Sequence, residues 1–328
     1  MEHVETGSES LFSKSAIWMD VFTPNFSFSL FYGVVSFAVY ILTIRIIRKH
    51  SLHFSGSFFI LYKSAFLFNL LTYCNSFVSL RIPQNTCYNC SLAPFYLSNS
   101  EGSTTSFPLF LFYGIQMYMI CPQYSMNLLI SCNRFTIFLW LNRNDRIWRK
   151  LAPIGLILVV CLPISVTFDV FSSEAFFKYQ KDIDGFVSSS TANTMSVLKR
   201  IVVFMLVSTM LSAVLNLGSL LYLSSVDIKL QKADRTLLYV SVFSFFVELF
   251  CFVDSFLLGY YSQLPPWLAS IVLWLVPYCS DLLTMSPPWI LCLFSSTMRE
   301  KIGETFSLPY RVFPRASQIS MSAVSRIP

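Results

Sequence analysis

The chain has 328 residues, 55% of them hydrophobic and only 12% charged, with a net charge of +6. A soluble domain carries about 25% charged residues, so a single core with a hydrated surface is excluded. The cations fall between long apolar runs, a pattern of membrane topology and not of nucleic-acid binding.

The first 25 residues hold Glu2, Glu5, Glu9 and Asp20 against Lys14. They lack the basic start and early apolar run of a cleaved signal peptide. The first apolar run is therefore expected to act as an uncleaved anchor behind an extracellular tail over 1–25. Seven apolar stretches follow, at about 26–44, 57–80, 108–141, 151–171, 201–224, 237–260 and 268–293. In lipid, backbone polar groups must be satisfied within the segment, so each stretch predicts a helix. Barrel strands would alternate with period 2 in runs of about ten residues, and these runs are continuous. The expected fold is all-α: a polytopic membrane protein with seven transmembrane helices over 26–293 and a tail over 294–328. No tandem repeat or second domain is evident.

Lys and Arg set the orientation. One side receives Arg45, Arg48, Lys49, Arg134, Arg143, Arg146, Arg149, Lys150, Lys229, Lys232 and Arg235, with the cations of the tail. The other receives Lys14, Arg81, Lys178, Lys181, Lys199 and Arg200. The richer side is cytosolic, which places the N-terminus outside and the C-terminus inside. His50 and His53 fall in the first cytosolic loop with no third ligand nearby, so they read as solvated residues and no metal is expected.

Lys63, in the second stretch, is within snorkelling reach of the cytosolic end. Asn69, Thr72 and Ser76 recur there at helical spacing, which predicts an inward polar face bonding to neighbouring helices. The polar stretch 81–107 contains Cys87 and Cys90, which could close a small disulfide or pair elsewhere. Asn89-Cys90-Ser91 is a glycosylation acceptor, making Asn89 a candidate modification site. In the third stretch Gln116, Gln123 and Asn127 share one face. Pro122 is expected to kink that helix. The 34 residues from Pro108 to Leu141 make a helix of about 51 Å, which crosses a membrane and projects beyond it. The stretch stays apolar to Leu141, with one cation entering at Arg134, and turns basic beyond it with Arg143, Arg146, Arg149 and Lys150. An arginine at that edge reads either as a headgroup-snorkelling anchor or as part of a signalling face.

The loop 172–196 is polar and lacks cysteine. The sixth stretch carries Glu248 near its middle and Asp254 in its outer half. Each is either protonated and hydrogen-bonded or functional. The seventh carries Asp281 among Pro277, Pro287 and Pro288, which predicts a helix that bends or unwinds locally. Glu248 and Asp281 are candidate intramembrane polar switches. Beyond Phe294, Met298, Ile302 and Phe306 recur every four residues, predicting a short amphipathic helix on the membrane surface. The tail after it is expected to be disordered.

Ser131-Cys-Asn133-Arg134-Phe135, Arg146-Ile-Trp148-Arg-Lys150 with Pro153, and Leu162-Pro163-Ile164 follow one another along the third and fourth stretches. Ser280-Asp281-Leu-Leu-Thr284, Pro287-Pro288-Trp289 and Phe294-Ser-Ser-Thr-Met-Arg299 close the seventh. In this order, over about 26–305, the chain resembles the nematode serpentine chemoreceptors of class gamma, which are seven-helix receptors like those coupled to G proteins. The resemblance implies a small-molecule ligand, a heterotrimeric G protein as partner, and the plasma membrane of a sensory neuron. It places Asn133 and Arg134 where coupling switches. The Asp-Arg-Tyr motif of rhodopsin-like receptors is present only as Asn133-Arg134-Phe135. Gln116, Asp254, Trp274 and Tyr278 are the candidate ligand contacts, being polar or amphipathic residues in outer halves of spans. The intramembrane acids keep an ion channel subunit or small-solute transporter as the alternative. Without clustered histidines, a phosphate loop or a nucleophile motif, no enzyme and no cofactor are expected.

Overall fold

The computed structural model describes residues 23–51, 54, 56–102, 107–140, 143–225 and 232–306. Among the described residues, the helices of six residues or more up to the end of the last apolar stretch are α1 Pro24–Lys49, α2 Ser57–Ser76, α3 Ala93–Ser98, α4 Leu109–Trp140, α5 Asn144–Phe171, α6 Thr194–Ser225, α7 Lys232–Gly259 and α8 Pro266–Phe294. A ninth, α9, spans Ser296–Phe306. Among the described residues, six stretches are long and apolar enough to cross a membrane: Phe26–Lys49, Ser57–Gln84, Asn144–Phe171, Thr194–Ser224, Thr236–Gly259 and Pro266–Phe294. The 32-residue α4 would reach about 48 Å. It carries Gln116, Gln123, Asn127, Asn133 and Arg134, and packs against α2, α5, α6 and α7. Its polarity belongs to a helix surrounded by other helices.

The bundle is apolar on its outside. Ile154, Ile157, Leu162 and Phe168 of α5 and Val203, Met210, Val214 and Leu217 of α6 are exposed. Asn69, Thr72, Gln123, Ser131, Asn216 and Ser241 are buried. Hydrocarbon favours such an arrangement, because polar side chains in lipid must find partners in neighbouring helices. The chain is a largely helical, polytopic membrane protein.

The polar face expected on α2 is present and bonded. Asn69 Nδ2 donates to Tyr40 Oη of α1 at 3.2 Å, and Gln123 Nε2 of α4 donates to Asn69 Oδ1 at 3.1 Å. A second knot joins α4, α6 and α7. Asn216 Nδ2 donates to Ser131 Oγ at 3.0 Å, and Ser241 Oγ donates to Asn216 Oδ1 at 2.9 Å.

Three expectations need correction. The fold is not all-α: within 172–196, β1 Ala175–Gln180 and β2 Gly185–Ser190 form an antiparallel hairpin. Phe177 and Phe186 bury against Tyr96 and Leu109, which gives the strands an apolar face to rest on. Asp184 turns the chain at φ 43, a left-handed conformation that aspartate tolerates. Gly185 follows because a Cβ there would lie 2.4 Å from the Gln84 carbonyl oxygen. Secondly, α5 begins at Asn144, so Arg146, Arg149 and Lys150 are helical and not in a loop. Asp145 suits the positive end of the helix, and Trp148 and Ala152 bury with Leu61, Ala65 and Met126. Thirdly, α8 runs as one continuous helix through Pro277, Pro287 and Pro288, so the seventh stretch does not unwind. Local unwinding is absent from α8, since packed neighbours hold a helix together past a missing donor.

The expected short helix after the last span is α9. Met298 is fully buried with Ile47 and Leu291, and Ile302 packs on the same cluster, while Phe306 is exposed. His53, Lys229, the tail over 1–22 and the tail over 307–328 lie outside the described residues.

Candidate ligand site

At the hairpin end of the bundle a cavity of about 1020 Å³ opens between α1, the end of α2, α8 and the hairpin. Its walls include Phe26, Val187, Leu273, Trp274, Tyr278 and Arg81. Small-molecule sites occupy roughly 300–1,000 Å³ and are mostly apolar with a few placed polar groups. This cavity is of that size, and its lining mixes those apolar residues with polar ones, among them Gln84, Asn85, Gln180 and Asp184.

One charged group on the lining is Arg81, a residue that the charge count assigned to the loop outside the span. The structure corrects this. Past Ser76 the helix continues as a π-helical turn, Phe77–Arg81, and then as Ile82–Gln84. The wider turn changes the side-chain phase and aims Arg81 into the bundle. Arg81 is only 3% exposed. Its Nη2 donates to Asp281 Oδ1 of α8, and also to the Pro277 carbonyl at 3.4 Å. Its Nε donates to Ser76 Oγ at 3.2 Å. The guanidinium carbon lies 5.5 Å from the Tyr73 ring centroid and 5.3 Å from that of Phe77. A buried charge persists only when paired and hydrogen-bonded, and both conditions are met. Asp281, expected as an isolated intramembrane acid, is half of an ion pair. The apolar run gave no sign of this, because an arginine at the end of a span reads as an interfacial residue.

The four expected ligand contacts separate. Trp274 and Tyr278 line the cavity, with ring centroids 4.7 Å apart. Gln116 and Asp254 are not on its lining. Gln116 Oε1 accepts from Ser79 Oγ at 3.0 Å and from Asn75 Nδ2 at 3.3 Å, tying α4 to α2. Asp254 is buried facing Cys279. Glu248 is fully buried and accepts from Thr209 Oγ1 at 3.4 Å. Asp254 Oδ1 and Glu248 Oε2 have no hydrogen-bond partner among the described residues.

The hairpin roofs the cavity. Ser188 Oγ donates to the Ser79 carbonyl at 2.9 Å, and Phe177 N donates to the Asn99 carbonyl at 2.9 Å. Tyr96 stacks on Phe186 with centroids 5.0 Å apart. Burial pushes the Tyr96 phenol up to about 12, against an opposing hydrogen bond with Thr86. Cys87 and Cys90 are joined by a disulfide, and Asn89 between them is exposed.

At the opposite end, Asn133 and Arg134 are both buried, Arg134 at 4% exposure, so it does not snorkel outward. Asn133 Nδ2 donates to Ser57 Oγ at 2.8 Å, and Asn133 Oδ1 accepts from Arg134 Nε at 3.2 Å. Ser57 N and Oγ both donate to Asp145 Oδ1 at 2.9 Å. The Arg134 guanidinium lies 4.9 Å from the Phe58 ring centroid. These contacts clamp α2, α4 and α5 together. Asp145 and Ser57 were not anticipated as members of the clamp, since nothing local in the sequence pairs them.

A family model described as Srg family chemoreceptor matches residues 26–302. Serpentine receptor class gamma-31 of Caenorhabditis elegans is 30% identical over 280 residues, covering 84% of this chain and 90% of that protein. Serpentine receptor class gamma-5 of Caenorhabditis elegans is 23% identical over 283 residues, covering 82% of each. With a receptor-sized cavity at one end of the helical bundle and a family match across nearly all of it, the chain belongs to the Srg family of chemoreceptors.

Proposed function

We propose that this chemoreceptor crosses the membrane seven times, with α4 as the third span, its N-terminus outside and its C-terminus in the cytosol. In this reading a small chemical cue enters the cavity at the hairpin end and contacts Trp274 and Tyr278. Binding biases how α8 and α2 sit against each other, and that bias reaches the clamp around Asn133 and Arg134. A heterotrimeric G protein then engages the opposite end, with α9 lying along the membrane surface. The site of action is the plasma membrane, in a sensory neuron by family membership.

The observation that carries this reading is the cavity of about 1020 Å³ walled by Trp274 and Tyr278. It combines ligand-sized space with aromatic surface at the hairpin end of a helical bundle. The test is expression in cells with a promiscuous G protein and a calcium reporter, challenged with volatile and water-soluble cues. A cue response that disappears when G-protein signalling is blocked is the expected result. A response or current that persists under the block would overturn the coupling mechanism and bring forward the channel reading.

A further inference from the structure

The cavity contains one feature that a generic apolar site does not need. Arg81 brings a permanent positive charge to its wall, 97% removed from solvent by its 3% exposure. A guanidinium has five N–H donors. Nε is used by Ser76, and Nη2 by Asp281 and the Pro277 carbonyl. Among the described residues no hydrogen bond reaches Nη1, nor is Nη1 among the sealed, unpartnered atoms. That edge of the fork therefore faces the cavity.

Asp281 is not itself on the lining, and its Oδ2 is buried without a hydrogen-bond partner among the described residues. The other charged side chain on the lining, Asp184, is exposed. It already accepts from Tyr179 Oη at 2.7 Å and from Tyr88 N at 3.4 Å. The lining presents the Arg81 donor with Gln84, Asn85 and Gln180 beside it, and the apolar and aromatic surface of Trp274, Tyr278 and Leu273.

We infer that the cue is a small organic acid, whose carboxylate accepts from Arg81 Nη1 while its apolar body lies against Trp274 and Tyr278. This deepens the chemoreceptor reading by naming the chemical class of the cue, and it rests on that reading only for the cavity's being the ligand site. Arginine donors match carboxylate geometry, and a charge-assisted bond in a dry site is strong. A second carboxylate on Nη1 shares the charge of the guanidinium and weakens its hold on Asp281, so occupancy loosens the contact that ties the end of α2 to α8. Ligand recognition and helix release then act through the same side chain.

The test uses the full-length receptor in phosphatidylcholine nanodiscs, with protein-free discs as the blank. Calorimetry compares phenylacetate with 2-phenylethanol and 2-phenylethylamine, and hexanoate with hexan-1-ol and hexylamine. The acids are expected to bind at least tenfold more tightly than their matched alcohols and amines. Asp281→Asn should strengthen acid binding, because it removes the competing carboxylate. The double variant Arg81→Gln with Asp281→Asn, which leaves no unpaired charge, should abolish the preference while remaining monodisperse. Equal binding of the three classes, tighter binding of the amines, absence of acid binding, or a preference that survives in the double variant would each overturn the assignment. Acid binding lost in phosphatidylglycerol discs would identify a lipid headgroup as the occupant and overturn it also. Acid binding without any cellular response would count against G-protein coupling and leave this site standing.

Discussion

Arg81 and Asp281 are 200 positions apart and meet as a buried ion pair between the end of α2 and the middle of α8. Removing one partner strands a charge in a dry site, at a cost of about 3–5 kcal/mol. Replacing both with apolar residues is often close to neutral. Arg81→Met and Asp281→Leu should each lower the thermal midpoint of the purified receptor, and the double variant should recover most of the loss. Additive losses in the double variant would mean that the pair does not contribute as a pair.

Asn133 joins Arg134 to Ser57, and Ser57 joins Asp145, so one amide holds three helices at the end opposite the cavity. Asn133→Ala leaves buried donors unsatisfied, worth about 1–3 kcal/mol. It should raise ligand-independent signalling in reporter cells at matched surface level, because the clamp restrains Arg134. Unchanged basal signalling would separate this contact from coupling.

Tyr179 lies in the hairpin, outside the spans, and donates to Asp184 Oδ1 at 2.7 Å. That hydrogen bond, with a smaller contribution from desolvation, holds the phenol above its ordinary value of 10.0. A raised folded value means that the folded hairpin keeps the proton more tightly than the unfolded chain. The contact's contribution is full below about pH 10 and is lost as pH rises through the folded value. Ultraviolet titration should show one tyrosine moving to lower pH in Asp184→Asn. An identical titration in both proteins would remove the contact.

Asn89 is exposed in the loop closed by Cys87 and Cys90. With the proposed orientation this loop meets the secretory lumen during synthesis. Endoglycosidase should increase the gel mobility of the protein made in animal cells, and Asn89→Gln should make the enzyme irrelevant. Modification at an asparagine introduced near Asp145 instead would reverse the orientation.

The helices were legible because apolar runs too long for a soluble core leave lipid-spanning helices as their main solution. The Asn69 and Gln123 stripes were legible as well, since a 3.6-residue period puts them on inward faces, and they meet at 3.1 Å. Arg81 was not legible in its true role. Its direction depends on the π-turn Phe77–Arg81, and a single wider turn leaves no trace in hydropathy. The hairpin was hidden for a related reason: its apolar face, Phe177 and Phe186, rests on Tyr96 and Leu109 from distant parts of the chain. Gln116 and Asp254 were placed by depth alone, and depth does not say which neighbour a side chain meets. Gln116 turned to α2, and Asp254 turned to Cys279.

The central claim is that the cavity beside α8 receives the cue. The most direct measurement is a dose–response curve for an active cue in reporter cells, comparing the intact receptor with Trp274→Ala at equal surface expression. Trp274 is 57% exposed, so its removal should leave the fold in place. The account predicts at least a tenfold shift of the half-maximal dose to higher concentration. Superimposable curves would place the cue elsewhere and contradict it.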